Sequence, residues 1–413
     1  MELIFLDPGL IGKGGHSYNL AKIIVETLSR RNIPHRVFGM RALDPPIAAE
    51  LGATPHFSRS LYECAELSPL AQGLQRLAAV LRLRDGLSSP HSEPRTWKLI
   101  NEAFEDDLAR LPQEIWDPAN VVALPAITQN QLAGLVRFLR AKRRRAIAPV
   151  VCHLMFPPTY VPWAQVSRLG ANYYRQAFAL AEEMTGRSLF FTTENKAMQA
   201  LFRREFGVST KILPLPFGAP LAARERPHDG KVRLGFLGDS RCDKGFHLLP
   251  EAIALCQAAT SDAEFLVQIH HGGWEQRAVA AERALRTFRG VRLAEGVLTA
   301  GGYQDLMREA DIMLLPYDPQ IFGLRGSGVF TEAVAAGLPL IASEGTFAAA
   351  SIESEDAEGE IFAPYTGEAL AGAILRLLAR LASAQAQAKA RALAFARAHS
   401  GEAFADVLLA HAR

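Results

Sequence analysis

The chain has 413 residues, of which 49% are apolar, 21% charged and 8% aromatic, and its formal net charge is +2. This length suits two or three domains, and the composition excludes a mainly disordered or fibrous chain. The four cysteines form no C-x-x-C pair, so neither a disulfide framework nor a structural zinc site is predicted. Without a leader-like start or an apolar run of ~18 residues, we expect a soluble protein of a reducing cytoplasm.

Apolar runs and amphipathic segments alternate along the chain. The run Leu3–Leu6 is followed by a glycine-rich stretch, a helix that ends near Arg30, and a strand at Val37-Phe38. Because parallel strands need a crossover helix, this order predicts a doubly wound parallel sheet. The same order restarts at 232–237, after a polar turn cluster at 227–230 that we interpret as a linker.

The predicted fold class is therefore α/β, with two Rossmann-like doubly wound domains. We predict an N-terminal domain at 1–225, a C-terminal domain at 226–390 and a final helix at 391–413, for which a return to the N-terminal domain is one option. Ligands of such sheets bind beyond the carboxyl ends of the strands, so two facing domains would form one interdomain cleft. The acidic stretch at 353–360 is predicted to be a solvated loop.

A basic stretch ends the helix that is predicted from Gln131 onward. No acidic residue occurs between Pro118 and Ala181. The six clustered cations are Arg137, Arg140, Lys142, Arg143, Arg144 and Arg145. In one interpretation these cations are solvated at a helix end and complement its dipole. In the other they bind anionic lipid, where each basic residue adds about 1 kcal/mol to the binding free energy. The second interpretation predicts peripheral contact with the inner membrane face.

The first glycine-rich loop joins the first strand to the first helix. It contains Gly12, Gly14 and Gly15, with Ser17 as a candidate helix cap. The pattern is not G-x-G-x-x-G and no acidic residue ends the next strand, so a nicotinamide site is not expected. A glycine backbone can still approach an anion at a helix start. His16 is either a loop or cap residue or a catalytic base, because imidazole titrates close to neutral pH.

A second glycine-rich loop, at 235–246, follows the first strand of the predicted C-terminal domain. It lacks G-x-x-x-x-G-K-[ST], which argues against P-loop nucleotide hydrolysis. Arg241 and Lys244 lie three residues apart in this loop. Their guanidinium and ammonium groups would together suit a diphosphate, and solvated loop cations are the alternative.

The third and most informative segment follows a predicted strand at Ile312–Leu315. Ser327 and Gly328 precede a helix that begins near Val329, so their backbone amides can face an anion at the helix N-terminus. Glu332 lies one turn into this helix. It could accept hydrogen bonds from vicinal sugar hydroxyls, and the alternative is a plain partner of the helix dipole.

Taken together, these motifs resemble the GT-B glycosyltransferases, most closely the large retaining family 4, over most of the chain. The similar segments are the first glycine loop, Val150–His153, Lys211-Ile212-Leu213-Pro214, Arg241 with Lys244-Gly245, and Glu332-Ala333 with Ala336-Gly337-Leu338-Pro339. The last of these is the most specific.

The resemblance implies acceptor binding in the N-terminal domain and nucleotide-sugar binding in the C-terminal domain. The implied catalytic residues are Arg241, Lys244, His153 and His16. The implied donor-binding residues are Gly14, Gly15, Gly296, Val297, Ser327, Gly328, Val329 and Glu332. Within that set, Glu332 would hold the ribose and the loop at 296–297 would meet the base. The donor is a nucleotide-diphosphate sugar, the acceptor is a saccharide or lipid-linked molecule, and no metal, other cofactor or nucleic acid is expected.

One departure from the family concerns its first glutamate on the third segment. Leu324 occupies that position when counted back from Glu332, and Gln320 occupies it in an alternative alignment. Neither is a carboxylate, and Asp318 is the nearest acidic substitute. The family commonly carries a cation early in the second loop, and Asp239 occupies that position here. Arg241 is therefore expected to take over the role of that cation.

The implied reaction is sugar transfer with retention of configuration, in which cations and helix amides stabilise the leaving phosphate. An inverting GT-B enzyme with His16 as base is the nearest alternative. A hydrolysing 2-epimerase of the same fold and a non-catalytic nucleotide-sugar-binding protein are the others. The resemblance also implies polysaccharide or glycolipid assembly in the cytoplasm.

Overall fold

The computed structural model describes residues 1–13, 15–60, 94–142, 146–161, 165–166, 168–217, 230–270 and 275–411. The chain forms two compact units. The first consists of Met1–Pro214 and Gly401–Arg413, and the second of Leu215–Ser400. Most of the turn cluster predicted at 227–230 lies outside the described residues.

A seven-stranded parallel sheet forms the centre of the first unit. The strands of this unit are β1 (Leu3–Leu6), β2 (His35–Met40), β3 (Ala53–Phe57), β4 (Val121–Leu124), β5 (Val150–His153), β6 (Tyr160–Val161), β7 (Gln165–Val166), β8 (Leu189–Thr193) and β9 (Lys211–Ile212). The sheet order is β3-β2-β1-β4-β5-β8-β9, and β6 and β7 form a separate antiparallel pair. The helices are Gly15–Arg30, Pro45–Leu51, Pro94–Arg110, Gln129–Lys142, Arg168–Ala181, Lys196–Phe206 and Gly401–Leu409.

A six-stranded parallel sheet forms the centre of the second unit. Its strands are β10 (Val232–Phe236), β11 (Ala263–Ile269), β12 (Val291–Glu295), β13 (Ile312–Leu315), β14 (Leu340–Ser343) and β15 (Gly359–Phe362). The order is β12-β11-β10-β13-β14-β15. The helices are Leu249–Ala259, Gln276–Leu285, Ala300–Glu309, Pro319–Phe322, Gly328–Ala335, Phe347–Glu353, Gly367–Ala379 and Leu381–Ala398. The prediction of two doubly wound parallel sheets is confirmed.

Apolar clusters cover both faces of the second sheet. Along β13, Ile312 and Leu314 belong to one cluster, and Met313 and Leu315 belong to the other. Successive side chains of a strand point to opposite faces. A strand that is buried on both faces is therefore a continuous apolar run, which is the pattern that predicts β13 from sequence.

Four helices of the second unit begin at a serine or threonine cap. In each case the side-chain oxygen accepts a hydrogen bond from the amide three residues later, at Thr299, Ser327, Thr346 and Thr366. Each cap satisfies one of the amides that a helix start leaves unpaired. The helix that Ser327 caps follows β13, so its N-terminus lies at the carboxyl end of the sheet.

The last two helices belong to different units. The helix Leu381–Ala398 packs on the helix Gly328–Ala335 within the second unit. The helix Gly401–Leu409 belongs to the first unit. Gly401 lies so close to Thr27 there that a Cβ atom would overlap the threonine hydroxyl. A glycine at this position lets the final helix pack directly on the first one.

The acidic stretch at 353–360 differs from its prediction. Its end forms part of β15, and the largely buried carboxylate of Glu358 pairs with Arg380 at 2.7 Å and Arg391 at 3.0 Å. Glu360 pairs with Arg380 at 2.8 Å. The prediction of a solvated loop is wrong for this part, because cations from the C-terminal helices neutralise the carboxylates.

Among the described residues, no single helix is both long and apolar enough to cross a membrane. The consecutive stretches Gly367–Ala379 and Leu381–Leu409 meet the length and composition requirements only when the sharp bend between them is ignored. Leu370, Ile374 and Leu377 of the first stretch are buried in an apolar cluster of the second unit.

Candidate functional site

Lys244 lies beside the first turn of the helix Gly328–Ala335, and Gly238 permits this approach. Gly238 has a φ of +97°, and a Cβ atom built there would lie 3.0 Å from Lys244 Nζ and 3.6 Å from Val329 Cγ2. Glycine adopts this backbone conformation without the strain that other residues would meet. The loop after β10 therefore brings an ammonium group and a helix N-terminus to the same point.

The ammonium group of Lys244 is largely removed from water. Its side chain is 15% exposed, and Asp239 Oδ2 lies 3.8 Å from Nζ. Burial lowers the pKa of Lys244, the carboxylate of Asp239 partly restores it, and the charges of Arg241 and Arg325 lower it further. A buried cation with two cations nearby is stabilised by an incoming anion, because the anion offsets both the lost hydration and the repulsion.

Arg241 is held by two aspartates of its own loop. Its Nε and Nη2 donate to the two carboxylate oxygens of Asp243, both at 2.9 Å, and Nη1 lies 3.2 Å from Asp239 Oδ2. Bidentate guanidinium–carboxylate pairs are strong and geometrically specific. The sequence predicts that Arg241 and Lys244 converge on one anion. In the structure the charge of Arg241 already has two carboxylate partners, so Lys244 is the better placed cation.

Two residues of the β11 region support this loop, and sequence analysis gave neither a role in it. Gln268 Oε1 accepts a hydrogen bond from Gly238 N–H at 2.8 Å, and Gln268 Nε2 donates to the Gly296 carbonyl at 3.2 Å. His270 Nδ1 lies 3.1 Å from Asp239 Oδ1. Gln268 thus ties the loop after β10 to the loop after β12.

The loop predicted to meet the base follows β12. Gly296 has a φ of +79°, and its N–H donates to the Ile269 carbonyl at 2.8 Å. Its own carbonyl accepts from Gln268. The backbone of Gly296 is therefore engaged by β11, whereas the side chain of Val297 is 77% exposed and is open to a ligand.

The N-terminus of the helix Gly328–Ala335 has the features of an anion site. Ser327 Oγ accepts from Phe330 N–H at 3.4 Å and lies 3.1 Å from the Tyr317 hydroxyl. The first amides of a helix have no partner within the helix, and the helix dipole favours negative charge there. Gly328 is exposed and a Cβ atom there would meet nothing within 4 Å, so a phosphate group has room to approach.

Arg325 is a cation near this helix start that sequence analysis left out. Its guanidinium carbon lies 5.1 Å from the ring centroid of Phe322, whose ring lies 4.5 Å from that of Tyr317. After burial, the charge of Arg325 is among the causes that lower the pKa of Lys244. The available signal was its position two residues before the helix cap Ser327.

Glu332 is half-buried in the second turn of its helix and accepts a hydrogen bond from the Tyr303 hydroxyl at 2.6 Å. Burial raises the pKa of Glu332, and the hydrogen bond from Tyr303 partly offsets this. Burial and the neighbouring carboxylate raise the pKa of Tyr303 well above its ordinary value. The phenol therefore keeps its proton and acts as the donor.

The two positions aligned with the first glutamate of the family hold no carboxylate. Leu324 is half-buried, and Gln320 is exposed on the short helix Pro319–Phe322. Asp318 caps that helix, where its Oδ1 accepts from Gln320 N–H at 2.9 Å. The nearest acidic substitute thus has a structural task in this segment.

In the first unit, the two histidines singled out from sequence lie near the carboxyl ends of strands. His16 follows Gly15, which opens its helix with a φ of +75°, and the buried His153 ends β5 with Nδ1 3.1 Å from Thr192 Oγ1. Burial lowers the pKa of His16 to about 4. Burial, with a smaller effect of His16, lowers the pKa of His153 to about 3. Both imidazoles are therefore uncharged at neutral pH, and Gly14 lies outside the described residues.

Asp7 is a buried carboxyl group directly after β1 that sequence analysis did not single out. It is 3% exposed, and its Oδ1 accepts from Gly9 N–H at 2.7 Å and from the Ser17 hydroxyl at 3.5 Å. Burial raises the pKa of Asp7 to about 6 despite these hydrogen bonds. Ser17 lies inside the helix Gly15–Arg30, so the prediction that it caps this helix is wrong.

The described part of the basic stretch makes contacts within the first unit. Arg137, Arg140 and Lys142 donate to a glutamate, a backbone carbonyl and a glutamine at 2.6, 3.2 and 2.7 Å, respectively. Arg143, Arg144 and Arg145 lie outside the described residues. Peripheral membrane contact through this stretch stays a prediction.

Metal ligation has no candidate group in the part of the chain that the structure describes. There, no three His, Cys, Asp or Glu side chains are arranged to hold an ion. His271 and Cys64 lie outside that part.

A family model described as Glycosyl transferases group 1 matches residues 231–380. Residues 231–380 are a group 1 glycosyltransferase domain. The domain contains β10 to β15, and with them Gly238, Lys244, Ser327 and Glu332. The resemblance inferred from the sequence motifs is confirmed, and the chain is a glycosyltransferase.

Solved structures with the same fold extend over both units of the glycosyltransferase. HepE from Anabaena in complex with UDP is 17% identical, with a TM-score of 0.63 and coverage of 99% of each chain. Sucrose-phosphate synthase from Thermosynechococcus elongatus is 16% identical, with a TM-score of 0.60 and coverage of 99% of this chain and 97% of that one. A glycosyltransferase from Rickettsia africae is 11% identical, with a TM-score of 0.65 and coverage of 99% and 98%. No curated protein sequence matches the chain. The shared fold confirms the predicted GT-B class.

The family model does not extend into the first unit of the glycosyltransferase. His16, His153 and Asp7 therefore stand on the geometry of that unit alone. Lys244 and Glu332 lie within the residues that the family model matches, and the structure also describes their contacts.

Proposed function

We propose that this glycosyltransferase moves a sugar from a nucleoside-diphosphate sugar to a saccharide or lipid-linked acceptor, with retention of anomeric configuration. The observation that carries the proposal is the meeting of Lys244 and the first turn of the helix Gly328–Ala335 at Gly238. Negative charge grows on the leaving diphosphate as the glycosidic bond breaks. Positive groups fixed at that place stabilise the transition state more than the bound donor.

The donor diphosphate is assigned to Lys244 Nζ and to the amides of Gly328 and Val329. Arg325 adds positive potential at Lys244, since its charge lowers the pKa of that ammonium group. Arg241 has a supporting role in this assignment. Its bidentate contact with Asp243 shapes the loop that carries Lys244.

The nucleoside is assigned to the carboxylate of Glu332 and to the loop at 296–297. Glu332 offers an acceptor for a ribose hydroxyl, and Val297 offers an exposed apolar surface for the base. HepE has been solved with UDP and with UDP-glucose, so UDP-hexoses are the first donors to test. The position of the family's first glutamate is Leu324, or Gln320 in the alternative alignment, so the transferred sugar needs other hydrogen-bond partners.

In the proposed reaction the bond between the anomeric carbon and the leaving phosphate oxygen breaks. The new bond to the acceptor oxygen forms on the same face of the sugar, and the acceptor proton passes to the leaving phosphate. Lys244 and the helix amides hold the charge that stays on the nucleoside diphosphate. The products are the glycosylated acceptor and the nucleoside diphosphate.

An inverting reaction with His16 as general base is the second candidate. Burial lowers the pKa of His16 to about 4, so the imidazole is uncharged and can accept a proton. A base with so low a pKa is weak at neutral pH, where a catalytic pKa near the working pH is most effective. Retention is therefore the preferred proposal.

A thermal-shift panel followed by product analysis tests the proposal. UDP, GDP and ADP and their glucose conjugates are added in turn, because a ligand that binds only the folded state stabilises it by about 2.7 kcal/mol at 100 times Kd. We expect the nucleotides of one nucleobase to raise the melting temperature of the protein. The anomeric coupling constant of the product, read by NMR, should match that of the donor. No shift with any nucleotide would contradict the donor assignment, and an inverted product would favour His16.

A further inference from the structure

The Tyr303–Glu332 contact joins two helices that are distant in sequence. Tyr303 lies in the helix Ala300–Glu309, which begins at the cap Thr299. Its ring packs against the apolar cluster that also holds Leu306 and Met307 of the same helix. Its hydroxyl reaches Glu332 Oε2 at 2.6 Å. Packing at the ring and a hydrogen bond at the hydroxyl thus fix this side chain at both ends.

The contact occupies one carboxylate oxygen of Glu332 and leaves the other. An ionised carboxylate can accept through both oxygens. Tyr303 donates to Oε2, and no described residue donates to Oε1. A glutamate side chain loses rotamer freedom when a ligand fixes it, and that loss weakens binding. A glutamate already fixed by Tyr303 binds its ligand without this loss.

We propose that Tyr303 is a positioning residue for nucleotide recognition, which orients Glu332 so that Oε1 receives a hydroxyl of the donor ribose. The inference rests on the proposed function, in which Glu332 binds the ribose. It adds a residue outside the family motif. It also predicts that the carboxylate grips the ribose mainly through one oxygen.

An alternative role of Tyr303 predicts the opposite change in nucleotide affinity. If the Tyr303 hydroxyl occupied the place of a ribose hydroxyl, the nucleotide would have to displace it. Removing the hydroxyl would then strengthen binding of the ribonucleotide. The sign of the change therefore separates the two roles.

The experiment is a calorimetric comparison of ribose and dideoxyribose ligands. UDP, GDP and ADP are titrated into the wild-type protein, and the tightest of them is compared with its 2′,3′-dideoxy form. We expect the wild type to prefer the ribose form by roughly tenfold or more, the scale of a hydrogen bond to a charged group. In Tyr303→Phe, affinity for the ribose form should fall roughly three- to tenfold, and affinity for the dideoxy form should not change.

Two control variants separate positioning from other effects. Tyr18→Phe removes a hydrogen-bonded tyrosine–glutamate pair of the first unit, in which the hydroxyl lies 2.9 and 3.0 Å from the Glu50 oxygens. It should leave the ribose preference unchanged. Glu332→Gln should abolish that preference. Melting temperatures confirm that each variant is folded, and a purely structural role of Tyr303 would change them without changing the preference.

The outcomes distinguish the two proposals. If Glu332→Gln loses the ribose preference and Tyr303→Phe keeps it or binds more tightly, the positioning role is wrong and the proposed function stands. If Glu332→Gln also keeps the preference, the ribose assignment in the proposed function is wrong, and the role of Tyr303 falls with it. Absence of binding by all three nucleotides to the wild type would overturn both.

Discussion

Replacement of Lys244 with methionine should remove the main positive charge of the donor site while keeping most of the side-chain volume. The ammonium group is largely buried and lies beside Gly238, whose Cβ position is also 3.6 Å from Val329 Cγ2 in the first turn of the helix Gly328–Ala335. Methionine can occupy the same space, so the loss should report charge and not packing. We expect weaker binding of the nucleoside diphosphate and a larger loss in turnover.

The magnitude follows from the burial and the charge of this site. Two unit charges about 4 Å apart attract by about 4 kcal/mol at an effective dielectric constant of about 20. Desolvation of the phosphate reduces the net value to about 1.5–3 kcal/mol, the range for hydrogen bonds to charged groups. This corresponds to about 10- to 150-fold in Kd. Because charge on the phosphate grows in the transition state, the rate should fall by about 10²–10³.

The assay pairs calorimetric titration of UDP with release of UDP from UDP-glucose, or uses the nucleotide that the thermal-shift panel selects. Lys22→Met is the matched control, since Lys22 forms an ion pair with Glu50 at 3.0 Å in the first unit. The control should leave both affinity and rate within about twofold, as expected for a surface pair worth about 1 kcal/mol or less in stability.

Wild-type affinity and rate in Lys244→Met, with the melting temperature unchanged, would refute the assignment of the diphosphate to this ammonium group. A loss in affinity with no further loss in rate would show that Lys244 binds the ground state and the transition state equally. In that case the stabilisation of the leaving group would belong to other residues.

Two further predictions concern stability. Gly245→Ala should destabilise the second unit by about 3 kcal/mol or more, because Gly245 has a φ of +75° and a Cβ atom would overlap the Pro316 carbonyl oxygen. Gly301→Ala is the control, since nothing lies within 4 Å of a Cβ atom there, and it should be close to neutral. Urea denaturation measures both variants, and equal losses of unfolding free energy would contradict the geometry. Asp7→Asn should stabilise the protein by up to about 3 kcal/mol above pH 6 and not below pH 4, because burial raises the folded-state pKa of Asp7 from 3.8 to about 6, and ionisation above that value opposes folding. Unfolding free energies measured from pH 4 to pH 8 check the sign, and a gain that does not vary with pH would contradict it.

The central strands of both sheets are predictable because burial on both faces leaves a continuous apolar run. Leu3–Leu6 and Ile312–Leu315 are recognised in this way. The edge strands β3 and β15 pair on one side only, and their residues are partly exposed or follow an acidic stretch. Their sequences therefore carry no such run, and they were missed.

The residues of the candidate site differ in whether neighbouring or distant parts of the sequence define their roles. Lys244, Ser327 and Glu332 are predictable because loop chemistry and helix starts are encoded by neighbouring residues. Tyr303 and Gln268 act on groups 28 to 30 residues away in sequence, so only the folded chain reveals their roles. The sequence predicts that Arg241 binds the diphosphate together with Lys244, and its bidentate contact with Asp243 is evident only in the structure.

A crystal structure of the protein with bound UDP or UDP-glucose tests the account most directly. It should show a phosphate oxygen about 3 Å from Lys244 Nζ, within hydrogen-bond distance, and another at the amides of Gly328 and Val329. A diphosphate bound elsewhere in the second unit, with Lys244 contacting only Asp239, would contradict the donor site described for this glycosyltransferase.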